Sequence, residues 1–325
     1  MAVYTEVSVE AAAALCTRLG LGRLTDLQGI RSGIENTNYY VNTERGQWVL
    51  TLFERLSRAE LPYYLRLMQH LATAGIPVPA PQADASGELL HELAGKPASI
   101  ATRLPGSHRP APTVANCTQL GTMLARMHGA ALAFTMHQPH LRGLAWWQAT
   151  VPVVAAHLPT ALAEQAALLR EELRFHETWS ASPAGQSLPT GPIHADLFRD
   201  NVMFDDTAGE DRLCGFFDFY FAGTDHLLFD VAVCLNDWCC DLATGRLDEP
   251  RAAALVAAYE AVRPLQAAER RLMPAMLRAA AFRFWLSRLW DSVLPRPAAV
   301  LTPKDPSHFE RILRQRIVAP WHPGS

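Results

Sequence analysis

The chain predicts an α+β fold of two lobes, a small antiparallel-sheet lobe followed by a larger, mainly helical lobe with one embedded hairpin. Three observations predict it. Runs rich in β-branched and aromatic residues, separated by glycine turns, crowd the N-terminal third. The proline and glycine cluster "LPGSHRPAPT" breaks the pattern at Leu104 to Thr113, and beyond it apolar residues recur mostly at helical spacing. The expected division is 1–104 and 105–325.

The elements follow in order. Residues 8–19 form a short opening helix. "RLTDLQGI", "NTNYYVN" and "GQWVLTLFE" are strands joined through "RSGIE" and "TERG", a three-stranded meander. In 58–74, Leu61, Leu65, Met68 and Leu71 share a helix face, and Gly75 stands where a C-terminal cap belongs. "IPVPAP" cannot extend that helix, because proline lacks the amide donor and restricts the residue before it. Strands at 89–93 and 97–104 flank the turn "AGKP" and bring the sheet to five. Helices are expected at 114–134, 161–179, 227–240, 250–262, 267–289 and 306–317.

At 325 residues, 49% hydrophobic and 19% charged, the chain is long enough to bury a sizeable core and too apolar to stay disordered. A formal net charge of -3 offers no basic footprint for nucleic acid. No uncharged apolar run approaches the ~20 residues that span a bilayer, and the first residues are acidic rather than basic. A cytoplasmic protein without a membrane partner is expected. Six cysteines show no CxxC spacing, so Cys234, Cys239 and Cys240 read as small buried thiols.

The chemistry concentrates in "PIHADLFRDNVMF" and "LCGFFDFY". His194, Asp196 and Asn201 form H-x-D-x-x-x-x-N, and a hairpin built from the two apolar runs carries Asn201 at its start and Asp218 at its end. An Asn and an Asp so placed offer oxygens to Mg²⁺, which favours a few protein oxygens completed by water and phosphate. Asp196 lies in the loop where it can orient or accept the proton of an attacking hydroxyl, the division of labour in kinase phosphoryl transfer. His194 reads as a loop-holding residue, and Asp200, Asp205, Asp206 and Asp211 as solvated turn residues. Upstream, Gly29 and Gly33 in "GIRSGIENTNYYV" permit backbone approach to phosphate.

These segments, with "GIENTNYYV", "WVLTLFE", "DFYFAG", "LNDWC" and "FRFWLSRL" in the same order, resemble the aminoglycoside phosphotransferase and choline kinase superfamily, and within it the homoserine kinases. The resemblance implies a protein-kinase-like two-lobed fold and transfer of phosphate from ATP, with Mg²⁺, to the hydroxyl of L-homoserine. It makes Asp196 the catalytic Asp, Asn201 and Asp218 the metal pair, Asp230 a brace for the catalytic loop and His128 a structural helix histidine. Gly33 and Asn36 are expected at the nucleotide. Where many members carry a strand lysine for the phosphates, this chain has Thr51; its two lysines, Lys96 and Lys304, stand elsewhere, so the phosphate charge is expected to be met by Mg²⁺, by loop amides or by an arginine such as Arg31.

An amino-acid acceptor wants Arg for its carboxylate and an acid for its ammonium. Residues 281–325 hold six arginines and Lys304 against three carboxylates, a balance that repels a polycationic aminoglycoside. Arg283 and Arg288, on a helix that borders the acceptor cleft in this fold, and Asp237 are the expected substrate residues. The competing acceptor, choline or ethanolamine, would use Trp238, Trp285 and Trp290 as a cation–π cage. A nucleotide-binding regulator without turnover is the reading from another class.

Overall fold

The computed structural model describes residues 5–30, 36–207, 209–294 and 304–324. It divides into two compact units, Met1–Gly106 with Cys214–Phe217, and Ser107–Leu213 with Asp218–Ser325.

In the first unit, α1 (Val9–Arg18) starts at Ser8, whose hydroxyl accepts from the Ala11 amide and so satisfies one of the amides a helix start leaves without a partner. Strands β1 (Leu24–Ile30), β2 (Asn36–Thr43) and β3 (Gly46–Phe53) form the meander, and α2 (Leu61–Thr73) follows. Strands β4 (His91–Leu93) and β5 (Lys96–Thr102) complete an antiparallel sheet of order β1-β2-β3-β5-β4. Alternation sends Tyr39, Val41, Leu50, Leu52, Ala98 and Ile100 to one face, where they pack with Leu15 and Cys16 of α1. Helix α2 begins three residues later than its periodicity predicts, because the Glu60 carboxylate accepts the Ser57 amide and hydroxyl and caps the turn before it.

The second unit carries α3 (Val114–Ala131), α4 (Leu144–His157), α5 (Ala163–Ser180) and the short α6 (Pro183–Gln186), then β6 (Thr190–Ile193), β7 (Val202–Asp205), β8 (Arg212–Phe216) and β9 (Gly223–His226). Helices α7 (Leu227–Trp238), α8 (Glu249–Glu260), α9 (Ala267–Val293) and α10 (Ser307–Val318) complete it. β7 and β8 form the expected hairpin, although β8 ends within the segment that groups with the first unit. Helix α3 packs on α8 at Gly121, where a Cβ would stand 2.1 Å from the Leu255 carbonyl oxygen; only glycine allows that approach. α7, α9 and α10 share the core around fully buried Trp238, Trp285 and Phe309. Asn236 joins them, donating to the Leu277 carbonyl and accepting from Arg316 at 2.8 Å each.

α4 is not among the expected helices: "LAWWQATVPVVAAH" is apolar on every side and contains Pro152, so it shows no stripe. Nor is the ribbon β6–β9 expected, since its four-residue strands are too short for a periodic signal. Among the described residues no helix is long and apolar enough to cross a membrane.

Candidate active site

The ribbon β6–β9 positions the site. β6 runs directly into His194-Ala195-Asp196, and β9 runs directly into α7, so the ribbon returns Asp230 to the loop that leaves β6. The Asp230 carboxylate accepts the amides of His194 and Ala195 at 2.7 Å each and faces His128 Nε2 at 3.2 Å; His128 Nδ1 in turn meets the Tyr259 hydroxyl at 2.7 Å. Those bonds hold Ala195 at φ 65, a left-handed conformation that costs a non-glycine residue about 1–2 kcal/mol. Burial alone would raise the Asp230 pKa, but the hydrogen bond from His128 and the positive charge around it hold the carboxyl below its ordinary value.

A depressed carboxyl stabilises the fold above its unfolded pKa and loses that contribution as pH falls through the folded value. Asp230→Asn should therefore lower stability at neutral pH by about 2–4 kcal/mol, since an amide nitrogen must now face a backbone N–H. The deficit should narrow below about pH 4. Urea melts at pH 7 and pH 3.5 check this, and an unchanged midpoint at pH 7 would remove Asp230 from the loop's support.

After Asp196 the chain makes a 3₁₀ turn, Arg199–Asn201, and enters β7. The Asn201 amide nitrogen donates to the Asp196 carbonyl at 2.8 Å, which orients the side chain and leaves its oxygen as the acceptor for a cation. Asp218 follows β8 at φ 69, and the ring of the next residue, Phe219, lies 4.5 Å from that of His194. Among the described residues no cluster of three or more His, Cys, Asp or Glu side chains could hold a metal. An Asn and an Asp with phosphate oxygens suit Mg²⁺, which keeps several waters and few protein ligands. The Asp196 side chain is 15% exposed, with Arg283 Nη1 at 3.9 Å. Burial pushes its carboxyl up to about 8; Arg283 pulls it down, while the charges of Asp218 and Asp200 add to the rise.

The acceptor candidates fall differently from their sequence assignment. Arg283 is buried, with its guanidinium 3.8 Å from the Phe284 ring and 4.9 Å from that of Phe221, beside Asp196. Asp237 accepts the Arg199 amide at 2.8 Å and its Nε at 3.1 Å, so its charge is already engaged. Arg288 lies over Phe309 and donates to the Asp305 carbonyl at 2.9 Å. Trp238 and Trp285 are core residues, and Trp238 donates to the Leu197 carbonyl, which removes the aromatic cage. Asp211 is no solvated turn residue: it takes Arg109 bidentately and Asn116 at 2.7 Å, fixing the start of β8 to Arg109 ahead of α3 and to the first turn of α3.

In the first unit, Arg31 and Gly33 lie outside the described residues. Asn36 opens β2. Asn38, Thr51 and Ser99 stand abreast on three strands, and the Thr51 hydroxyl donates to Asn38 Oδ1 at 2.8 Å. Lys96 is the first residue of β5 rather than part of the turn, and its ammonium pairs with Glu54 at 3.2 Å. Thr51→Ala should accordingly cost about 1 kcal/mol of stability and raise the KM for ATP less than tenfold. A loss of activity comparable to a catalytic knockout would assign Thr51 a role beyond this bond.

The chain belongs to the phosphotransferase enzyme family, whose model matches residues 26–265. It is 58% identical over 321 residues to the homoserine kinase of Polaromonas naphthalenivorans, covering 99% of each chain. It is 52% identical to the homoserine kinase of Cupriavidus pinatubonensis, covering 98% of this chain and 96% of that one. Among solved structures it is similar to an amicoumacin kinase in complex with AMP-PNP and Ca²⁺ (TM-score 0.67, 15% identity, 92% and 90% of the two chains). It is also similar to choline kinase from Cryptosporidium parvum (TM-score 0.66, 12% identity, 96% and 95%). The fold is the protein-kinase-like one of small-molecule kinases.

Proposed function

We propose that this chain is an ATP-dependent homoserine kinase, converting L-homoserine and ATP to O-phospho-L-homoserine and ADP, a step on the route to threonine. The observation that carries the reading is identity above 50% with homoserine kinases over nearly the whole length of both chains. The site supports it. Asp196, as the anion, orients the acceptor hydroxyl and takes its proton while the oxygen bonds to the γ-phosphorus and the bond from that phosphorus to the bridging oxygen breaks, releasing ADP. Arg283, 3.9 Å away, favours that anion. Asn201 Oδ1 and Asp218 would hold Mg²⁺, which supplies charge neutralisation at the phosphates. The cytoplasm is the proposed compartment, since ATP is the phosphate donor.

The test is an ATP-consumption screen of the purified protein over L-homoserine, choline, ethanolamine and aminoglycosides, with the product identified by ³¹P NMR. L-Homoserine should give the highest kcat/KM. A higher value for choline, ethanolamine or an aminoglycoside would falsify the substrate assignment.

A further inference from the structure

A cleft of about 420 Å³ opens beside the catalytic loop, lined by Phe198, Arg199 and Asp200 of that loop, by Arg288 of α9, by Lys304 ahead of α10 and by His308 in its first turn. Its charges do not all count equally. Arg199 and Asp237, both at its wall, neutralise each other through the bonds given above. Arg288 uses only Nη1, on the Asp305 carbonyl, among the described residues; its guanidinium carbon lies over Phe309 at 4.5 Å and the group keeps further donors. Lys304 and Asp200 are exposed at this cleft, and among the described residues neither has an ion-pair partner, nor are they in ion-pair contact with Arg288. Burial, and then the surrounding guanidinium groups of Arg288, Arg311 and Arg199, hold the His308 imidazole at about 4, so it is neutral near pH 7 and adds a hydrogen-bonding group without a charge. The cleft thus presents the remaining donors of Arg288 together with the exposed Lys304 and Asp200, which have no ion-pair partner among the described residues.

We propose that this cleft is the acceptor subsite and selects an α-amino acid as its zwitterion, Arg288 with Lys304 taking the carboxylate and Asp200 taking the ammonium. The inference rests on the homoserine kinase reading and adds the residues that decide its acceptor. It moves the carboxylate anchor from Arg283, which is buried against Asp196, to Arg288, five residues along the same helix. It moves the ammonium site from Asp237, which Arg199 occupies, to Asp200. Choline can satisfy Asp200 but leaves Arg288 desolvated and unpaired, a mismatch that costs more than a missing apolar contact. A polycationic aminoglycoside meets Arg288 and Lys304 with like charge.

The test uses three acceptors that differ by one group: L-homoserine, 3-aminopropan-1-ol, which lacks the carboxylate, and 4-hydroxybutyrate, which lacks the ammonium. Arg288→Gln should lower the kcat/KM ratio of homoserine to 3-aminopropan-1-ol by about 30-fold or more, while the ratio of homoserine to 4-hydroxybutyrate, both carboxylates, holds. Asp200→Asn should show the reverse pattern. Lys304→Gln, at an exposed position, should follow Arg288→Gln with a smaller change. If Arg288→Gln does not fold, Arg288→Lys retains a cation without the planar fork and should give an intermediate ratio. Equal losses on all three acceptors in the Arg288 and Asp200 variants would make these residues structural and overturn the subsite, even with homoserine still the preferred substrate of the parent enzyme. A parent enzyme that does not phosphorylate homoserine overturns the function itself, and with it this inference.

Discussion

Asp196→Asn should lower kcat by about 10²–10⁴-fold while leaving the KM for ATP within a few fold, and the same variant should be more stable than the parent at alkaline pH. Both effects come from one carboxylate. The Asn side chain keeps the shape of Asp196 and does not disturb its carbonyl, which accepts from Asn201 and Phe198. It removes the anion proposed to take the hydroxyl's proton. The stability gain follows from burial, which raises the carboxyl to about 8, above its unfolded value. A carboxyl raised in the folded state contributes no penalty below its unfolded pKa and destabilises progressively as pH climbs through the folded value. In the metal- and nucleotide-free protein the advantage of Asp196→Asn should therefore be absent near pH 4, grow up to about pH 8 and level off above it, reaching a few kcal/mol. Thermal melts across that range read it directly. Near-normal turnover sinks the catalytic assignment; a variant less stable than the parent at pH 8 sinks the electrostatic argument while leaving the catalytic one to stand on kcat.

What could be read in the sequence divides along the same physical line. The first-unit strands and most helices were legible because each buries one face and so writes a period of 2 or 3.6 into the chain. α4 was not, since a helix apolar all round has no stripe to detect. Asp196, Asn201 and Asp218 were legible as a spacing. The ion pairs of the same unit were not: Arg199 meets Asp237 38 positions away, and Arg109 meets Asp211 102 positions away. Separations of that kind leave no local pattern, and an Asp about to be paired looks the same in the sequence as one left in solvent. Asp237, which the sequence matches to the substrate's ammonium, is held by Arg199, and Asp200, which reads as a turn residue, is exposed at the cleft. Asp230 was legible only through resemblance; the ribbon β6–β9, invisible in the sequence, is what carries it back to the loop.

Asp218→Asn should weaken binding of Mg-nucleotide by roughly two orders of magnitude and leave the affinity for nucleotide in excess EDTA nearly unchanged. Asn is the informative replacement because residue 218 sits at φ 69, where Asn is among the few non-glycine residues tolerated, so the backbone can stay in place. Alanine would confound loss of a ligand with backbone strain. The substitution keeps one neutral oxygen and removes the charge, and a divalent cation would depend heavily on that charge if, as proposed, only two protein side chains held it. A second consequence concerns Asp196. The negative charge of Asp218 helps to raise the Asp196 carboxyl, so the neutral amide should lower it, and the destabilisation of the metal-free protein between pH 4 and pH 8 should shrink. Titration calorimetry with ADP, with and without Mg²⁺, separates the two nucleotide states, and melts at pH 8 read the second effect. Equal weakening in EDTA and in Mg²⁺ would mean that Asp218 touches the nucleotide or shapes its pocket; unchanged binding in Mg²⁺ would place the metal on other oxygens altogether.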